Sequence, residues 1–354
     1  MFTEAERAAP ELAGRGANRW ANRAFPAVRA LLTRAWAGET PWTSSGDGHP
    51  PTGSAIGTQP PRERAMRDLT SYTITDAVIS TMRDTKDARV AEILESLVRH
   101  LHAFVRDVEL TEEEWARGVD FLTRTGQMCT STRQEFILLS DVLGITMLVD
   151  SLSNRRPTET TQNSVLGPFF REDRPRHADA ADISGGLPGV PLFFEGRVVN
   201  RAGAPVADAA VDVWHSDGDG HYDVDVPGQV DPAMRALFRT DETGHFGFRS
   251  IRPSSYPIPG DGPVGELLGA TSRSLMRPAH VHLLIEAEGF QRVTTMLFPS
   301  DDSYLDTDPV FGVKESLITS YDTYEAGTGP CRGLTDEPYT VLRHTFVLEP
   351  RPAD

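Results

Sequence analysis

The 354-residue sequence is 39% apolar and 24% charged, a composition typical of a globular protein rather than a disordered or fibrous chain. Its 51 acidic and 35 basic residues give a net charge of −16, which argues against a nucleic-acid partner because backbone binding needs clustered lysine and arginine. Two cysteines make no disulfide framework, and neither a long apolar run nor a secretory signal occurs. We therefore expect a cytoplasmic protein with no membrane span.

Residues 1–65 lack the pattern of a folded domain. Between Arg15 and Arg34 there are five arginines and no acidic residue, a character similar to that of a transit peptide. The stretch 43–61 is rich in serine, glycine, proline and threonine, which is typical of a linker. We favour a poorly ordered extension that precedes the first domain.

Residues 66–154 are predicted to be helical. Apolar residues from Ile93 to Val108 recur every three or four positions and form one stripe. The segment is too small for a core of its own, so we expect it to pack partly on another subunit as a dimerisation region. Two pairs have the spacing of a capping box, in which a threonine and a glutamate satisfy each other's backbone amides: Thr111 with Glu114, and Thr132 with Glu135.

Residues 155–354 are predicted to form an antiparallel β-sandwich. A proline-rich connection comes first, and from Leu192 onward apolar residues alternate with polar ones between turn signals. With the helices before it, this domain makes the fold class α+β. The predicted strands contain 194–198, 211–214, 246–248, 281–283, 293–298 and 340–348.

Four side chains between Trp214 and His282 are candidate metal ligands. Tyr222 and Tyr256 supply phenols, which as phenolates are hard anionic oxygen donors. His280 and His282 are two residues apart in a predicted strand, so both imidazoles leave the same face. A single tyrosine is usually a packing residue and an H-x-H pair is often at the surface. The combination favours a site for a hard trivalent metal.

Other chemistries fit these residues less well. A calcium loop around the Asp-Gly-Asp-Gly sequence at 217–220 would place Val226 where a bidentate glutamate is needed. We therefore interpret it as a glycine-rich turn that delivers His221 and Tyr222 to a site. Zinc sites seldom use tyrosine. A two-histidine, one-carboxylate iron(II) site would need Glu286, about 20 Å along the strand from His280. No G-x-S-x-G motif supports a serine hydrolase.

The sequence resembles the intradiol ring-cleavage dioxygenases over residues 69–350. The resemblance rests on Trp214 to Tyr222, on Phe238-Arg-Thr-Asp with Gly244-x-Phe246, on Ser255-Tyr-Pro-Ile-Pro-Gly-Asp-Gly-Pro, and on Arg277-Pro-Ala-His-Val-His. It implies one Fe(III) per chain, held by Tyr222, Tyr256, His280 and His282. It also implies a helical dimer interface, with a lipid as a candidate ligand there.

The resemblance further implies catalytic roles and a substrate pocket. Tyr256 acts as both ligand and base, and Arg277 stabilises negative charge that develops on a small aromatic diol or triol during its reaction with O2. The implied substrate-binding residues come from four segments: Leu138, Asp141, Val165, Leu166, Gly167, Pro168, Phe169, Ile258, Pro259 and Val310.

The chain is most similar to the hydroxyquinol branch of that family, through Tyr304 to Lys314 and Val165 to Phe170. Catechol-specific members carry glutamine where this chain has Met296. The expected reaction is cleavage of hydroxyquinol to 3-hydroxy-cis,cis-muconate or its tautomer maleylacetate, in the degradation of aromatic compounds. Two alternatives remain: a catechol or substituted-catechol 1,2-dioxygenase, and a non-enzymatic, transthyretin-like β-sandwich binding module.

Overall fold

The computed structural model describes residues 66–130, 133–224 and 231–352. The predicted extension at 1–65 therefore lies outside the described residues. Contacts between Cα atoms divide the chain into two units, with the boundary after Thr123. The helices, in chain order, are α1 Ile74–Thr81, α2 Ala88–Asp107, α3 Glu112–Gln127, α4 Glu135–Val142, α5 Ile145–Ser153 and α6 Pro263–Ala270.

Side-chain caps fix the starts of α2 and α3. Asp87 accepts hydrogen bonds from the amides of Arg89 and Val90 at 2.9 and 3.2 Å. At α3 the predicted capping box is confirmed, because the Glu114 carboxylate accepts from the Thr111 amide and the Thr111 hydroxyl accepts from the Glu114 amide. No residue of α2 is buried, so its apolar stripe is exposed in the single chain.

The second predicted capping box, Thr132 with Glu135, involves Thr132, which lies outside the described residues. Gln134 precedes α4 and makes no side-chain cap. The Glu135 carboxylate is fully buried and accepts hydrogen bonds from Arg133 and from the Val264 amide. These donors offset the cost of burying a carboxylate.

Helices α4 and α5 belong to the second unit, whereas the sequence suggested a domain boundary near residue 154. Helix α4 belongs to the second unit because it makes hydrogen bonds with residues more than 100 positions later in the sequence. Arg273 Nη1 donates to the Val142 carbonyl at 2.7 Å, and the Val264 amide donates to Glu135. Gly144, with a φ of 73°, separates α4 from α5.

Two five-stranded sheets and a two-stranded ribbon follow. Large apolar side chains of both larger sheets share one core, as in the cross-sheet stacking of Phe238 on Phe248 with ring centres 5.5 Å apart. The sheet orders are β1-β5-β2-β12-β11, β10-β9-β8-β3-β4 and β6-β7. The strands are β1 Ala181–Asp182, β2 Pro191–Asn200, β3 Ala210–His215, β4 Arg235–Arg239, β5 His245–Ile251, β6 Tyr256–Pro257, β7 Met276–Arg277, β8 Val281–Glu286, β9 Val293–Pro299, β10 Ile318–Thr319, β11 Tyr321–Tyr324 and β12 Tyr339–Leu348.

The α+β class and the sandwich are confirmed, but the sheets are mixed rather than purely antiparallel. The C-terminal strand β12 runs parallel to β2, with Thr340 opposite Leu192 and Leu348 opposite Asn200. Short β1 and β10 also pair in parallel. Alternation of apolar residues reports which face of a strand is buried and not its direction, so the sequence pattern does not reveal the parallel pairs.

Within the three described ranges, no single helix has the length and apolarity needed to cross a membrane. The pair α4 and α5, bent by 76°, passes that test only when the two helices are taken together.

Candidate active site

A glycine-rich turn after β3 positions Tyr222, as the sequence predicts. The Asp217 carboxylate accepts from the amides of Asp219 and His221 at 2.9 and 2.8 Å, which closes the turn. Gly220 has a φ of 88° and lies against the backbone of Tyr256. The turn thereby directs Tyr222 into the interior, where it is 1% exposed. The prediction for His221 is wrong, because its side chain is 60% exposed.

Tyr256 and Arg277 are cross-strand partners in the ribbon of β6 and β7. One carboxylate ties this ribbon to the segment that carries His280. Asp302 Oδ2 accepts from the Ser255 hydroxyl at 2.6 Å and from the Ala279 amide at 2.8 Å. Asp302 therefore holds the residues immediately before Tyr256 and His280 at a fixed separation.

His280 and His282 place their Nε2 atoms 3.1 Å apart at the start of β8. His280 Nδ1 is 2.7 Å from the Pro278 carbonyl, so Nδ1 carries the proton and the Nε2 lone pair faces the site. Trp214, the cross-strand neighbour of His282, stacks on its ring at 4.6 Å. Each imidazole is thus oriented by a different contact.

The four predicted ligand atoms converge on one point. Tyr222 Oη, Tyr256 Oη, His280 Nε2 and His282 Nε2 show five mutual separations between 3.1 and 3.4 Å. Donors about 2.0–2.2 Å from one ion and at roughly 90–110° to each other are about 3–3.5 Å apart. Among the described residues, no three histidine, cysteine or carboxylate side chains form a metal cluster. A metal here would depend on the phenols.

Burial disfavours charge on these side chains. It raises the pKa of the Tyr222 phenol well above its usual value, and nearby Tyr256 raises it further. Burial also lowers the pKa of His280 and His282 well below the usual value, with the positive charge of Arg277 adding to the effect. The imidazoles are therefore neutral donors, and a cation is the partner that makes buried phenolates favourable.

Arg277 is buried beside the donor cluster. Its Nη1 lies 3.4 Å from both Tyr256 Oη and His280 Nε2, and its Nε donates to Asp308 at 3.1 Å. Burial lowers the pKa of this guanidinium, but the charges of Tyr256 and Asp308 raise it more, so the net shift is upward. Arg277 is a permanent cation, able to stabilise anionic oxygen next to Tyr256.

The predicted apolar substrate residues fall into two groups around the donors. Val165 and Val310 pack with Met296, which is fully buried and lies opposite His282 on β9. Leu166 and Phe169 pack against the tyrosines, and Phe169 stacks on Tyr222 with ring centres 4.1 Å apart. Gly167 approaches His282 so closely that an added Cβ would lie 3.1 Å from its Cε1.

The remaining predicted pocket residues lie at varied depths. Ile258 is buried and extends the pairing of β6 with β7 through its amide, whereas Pro168 and Pro259 are exposed. Leu138 and Asp141 are half-buried on α4, one turn apart.

Asp141 is the predicted polar group of the pocket. Burial raises its pKa to about 6, while a hydrogen bond with Thr146 and the charge of Arg277 lower the pKa and Asp308 raises it. The charges of Arg277 and Asp308 therefore both act on the Asp141 carboxyl, which ionises as the pH rises through about 6.

Sequence reasoning missed two carboxylates that hold the site together, Asp302 and Asp308. Both lie in the connection after β9, and neither belongs to a periodic pattern or a ligand spacing. Asp308 lies in the stretch Tyr304 to Lys314 that carries the family resemblance, but the sequence pattern assigns no role to it. The other signal is a run of acidic residues between 301 and 308, which is more often a solvated loop. Their contacts depend on tertiary folding, so the sequence pattern does not reveal them.

Comparisons with known proteins show matches in sequence and in fold. A family model described as "Dioxygenase" matches residues 165–350, and one described as "Catechol dioxygenase N terminus" matches 87–161. The chain is 48% identical to a 6-chlorohydroxyquinol 1,2-dioxygenase of Cupriavidus pinatubonensis, over 74% of this chain and 95% of that relative.

Two solved structures show the same architecture. The crystal structure of hydroxyquinol 1,2-dioxygenase from Pseudomonas putida DLL-E4 matches with a TM-score of 0.76 and 43% identity, over 79% of this chain and 99% of the other. Catechol 1,2-dioxygenase from Pseudomonas arvilla C-1 matches with a TM-score of 0.69 and 29% identity, over 79% and 91%.

Proposed function

The chain belongs to the intradiol ring-cleavage dioxygenase family, and we propose that it opens the ring of hydroxyquinol (benzene-1,2,4-triol) with O2. The product is 3-hydroxy-cis,cis-muconate, the tautomer of maleylacetate. It contains all atoms of hydroxyquinol and both atoms of O2. The proposal rests above all on one observation: four donor atoms converge beside a buried arginine. Hydroxyquinol is proposed as the substrate because this chain is more similar in sequence to the relatives named for hydroxyquinols, at 48% and 43% identity, than to the one named for catechol, at 29%.

The cofactor we propose is one Fe(III) per chain. Its ligands are Tyr222, Tyr256, His280 and His282, whose two phenolates and two neutral imidazoles suit a hard trivalent ion. When bound, the ion supplies Lewis acidity and orients the two adjacent hydroxyls of the substrate.

Protein groups then handle protons and charge. Tyr256 Oη accepts a proton from a substrate hydroxyl, since it lies at the edge of the cluster with the Arg277 guanidinium 3.4 Å away. Arg277 is fixed and desolvated, so it stabilises negative charge on substrate oxygen without reorganising. Phe169, Val165 and Val310 supply apolar walls that pack on the ring and exclude water.

Asp141 provides selection between triol and diol. Its carboxylate accepts a hydrogen bond from the third hydroxyl of hydroxyquinol, which catechol lacks. A site built for such a bond disfavours the analogue without it, because the carboxylate then lacks one of its hydrogen-bond partners. The half-buried position of Asp141 on α4 supports this role, as does its proximity to the charges of Arg277 and Asp308.

We also propose a homodimer formed through the helical unit. The partner is a second copy of this chain, because α2 exposes a long apolar stripe that no charged residue interrupts at its centre. Its side chains are between 43% and 53% exposed: Ile93, Leu97, Leu101, Phe104, Val105 and Val108. An acyl chain lodged between two such stripes would cover apolar surface that imperfect packing leaves open.

The deciding experiment compares hydroxyquinol and catechol by oxygen uptake, with metal content measured on the same sample. We expect a larger kcat/KM for hydroxyquinol, one iron per chain, and loss of activity on chelation that Fe(III) or Fe(II) with air restores. A better rate with catechol would assign the chain to the catechol 1,2-dioxygenases. Turnover that persists without iron would contradict the proposed cofactor.

A further inference from the structure

The Arg277 guanidinium is held by a second buried charge, the carboxylate of Asp308. Nε donates to Asp308 Oδ1 at 3.1 Å, and Nη2 lies 3.5 Å from Oδ2. The side chains of this pair are only 4% and 2% exposed. Asp308 occupies one edge of the guanidinium and leaves Nη1 directed at Tyr256 and His280.

Asp308 is itself fixed by the loop that contains it. Its Oδ2 accepts from the Gly312 amide at 2.9 Å, and its Oδ1 lies 3.4 Å from the amide of Val310. Gly312 packs closely against the pair, since an added Cβ would lie 3.1 Å from both Arg277 Nη2 and Asp308 Oδ2. The carboxylate is therefore preorganised by backbone amides.

Few other groups orient the guanidinium. Among the described residues, its other hydrogen-bonding neighbours are Tyr256 Oη, His280 Nε2 and the weak acceptor Met296 Sδ, all at 3.4–3.5 Å. Those contacts belong to the reaction centre or are weak. Asp308 is thus the main group that orients the guanidinium of Arg277.

We propose that Asp308 is a positioning residue for ring cleavage: it fixes Arg277 so that Nη1 faces Tyr256 Oη and the charge that develops on the substrate. This inference rests on the proposed function and adds to it a residue that touches neither substrate nor metal. It also links Arg277 to Val310 of the pocket wall, because the same short loop carries both Asp308 and Val310.

A double-mutant cycle tests whether Asp308 acts through Arg277. We expect Asp308→Asn to lower kcat about 10- to 100-fold for hydroxyquinol, because a displacement of about 1 Å costs that much, and to change KM little. In the Arg277→Ala background the same substitution lowers kcat less than about twofold. Independent effects that multiply in the double variant overturn the proposal.

Thermal unfolding of the same four proteins gives a readout besides activity. Asp308→Asn leaves the Arg277 cation buried without its counter-charge and lowers the Tm. In the Arg277→Ala background it removes an unpaired buried carboxylate and raises the Tm. A fall in Tm in both backgrounds contradicts the coupling. Iron content at the wild-type level in Asp308→Asn separates loss of positioning from loss of the metal.

Two further variants keep the test decisive. Gly312→Ala retains both charges but crowds the ion pair, so it is expected to lower kcat when Arg277 is present and not in the Arg277→Ala variant. It takes the place of Asp308→Asn if the Asp308→Asn protein does not fold. Asp212→Asn is the matched control, because the buried carboxylate of Asp212 pairs with Arg174, which is not part of the donor cluster. It is expected to lower the Tm with kcat within about twofold of wild type. An equal fall in kcat for Asp212→Asn and Asp308→Asn overturns the positioning role of Asp308. A wild-type protein that binds no iron and does not turn over hydroxyquinol contradicts the proposed function instead.

Discussion

Gly220 and Tyr256 approach each other so closely that a Cβ built on Gly220 would lie 2.7 Å from the Cβ of Tyr256. The turn that carries Tyr222 therefore rests directly on the strand that carries the other tyrosine. Tyr222 and Tyr256 are distant in sequence, and the separation between them is set partly by this contact between their backbone segments. The contact therefore restricts how far the turn that carries Tyr222 can move relative to Tyr256.

Gly220→Ala is expected to disturb the cluster more than a glycine substitution elsewhere. A positive φ costs a non-glycine residue about 1–3 kcal/mol, and the contact with Tyr256 adds about 1–3 kcal/mol of overpacking. Gly203→Ala is the matched control, because its φ of 78° is similar and nothing lies within 4 Å of the added Cβ. Urea unfolding and iron titration measure both effects. Equal losses of stability and iron affinity in the two variants would contradict the role of the contact.

Tyr222→Phe is expected to remove an anionic ligand and bleach the visible charge-transfer band of the iron protein. Iron per chain falls, and turnover falls with it. Tyr321→Phe is the control, because Tyr321 is also buried and its hydroxyl donates to the Leu297 carbonyl, away from the donor cluster. The absorption spectrum and metal analysis of both proteins decide the point. Unchanged colour in Tyr222→Phe would remove this residue from the proposed ligand set.

Leu101→Glu tests the proposed homodimer. Leu101 is 51% exposed at the middle of the α2 stripe, and a buried unpaired charge there would cost several kcal/mol in an interface. Light scattering at micromolar concentration is expected to give a dimer mass for wild type and a monomer mass for the variant. Leu334→Glu, at a 60% exposed loop position, should stay dimeric. A wild-type monomer would contradict the proposal.

The sequence pattern predicts most of the fold because strands and helices have different apolar periods. Each of its six predicted strands overlaps an observed one: β2, β3, β5, β8, β9 or β12. It does not predict the parallel pairing of β12 with β2, since period-two alternation is the same in both directions. It also misses the short ribbon of β6 and β7, whose two-residue strands are too short for a period.

The site divides in a similar way. Tyr222, Tyr256, His280 and His282 stand out because their residue types suit a metal, and the structure brings all four together. Asp302 and Asp308 do not stand out, because the Ala279 amide and the Arg277 guanidinium that they bind are distant from them in sequence. Residue type predicts the groups that do chemistry, whereas the groups that orient them are defined by tertiary contacts.

Asp141→Ala is expected to narrow the preference for hydroxyquinol over catechol. Loss of the partner of the third hydroxyl costs about 1–3 kcal/mol, which is about 5- to 150-fold in kcat/KM for hydroxyquinol. Catechol turnover changes less, because catechol has no group to pair with this carboxylate. Asp120→Ala, on the surface of α3, is a control that should leave the ratio unchanged. A ratio unaltered by Asp141→Ala would exclude this residue from substrate selection.

The pKa of Asp141 makes the same preference depend on pH. Burial raises that pKa to about 6, so the carboxyl is neutral below this value and a stronger, charged acceptor above it. The ratio of kcat/KM for hydroxyquinol to that for catechol is therefore expected to rise as pH increases through about 6. Taking the ratio cancels ionisations that affect both substrates alike. Asp141→Asn should give a flat ratio between about pH 5 and 7, and a ratio that still rises would place the titrating group elsewhere.

Stability has the opposite dependence on pH at this residue. Because the folded pKa is above the unfolded value of about 3.9, the folded protein retains a proton that the unfolded chain has lost between about pH 4 and 6. The contribution of Asp141 to the free energy of unfolding is thus greatest below about pH 4 and is lost as pH rises to about 6. Urea unfolding of wild type and Asp141→Asn at pH 4.5 and 7 measures it. The variant should gain stability relative to wild type at the higher pH, and an equal difference at both values would show that Asp141 ionises normally in the folded protein.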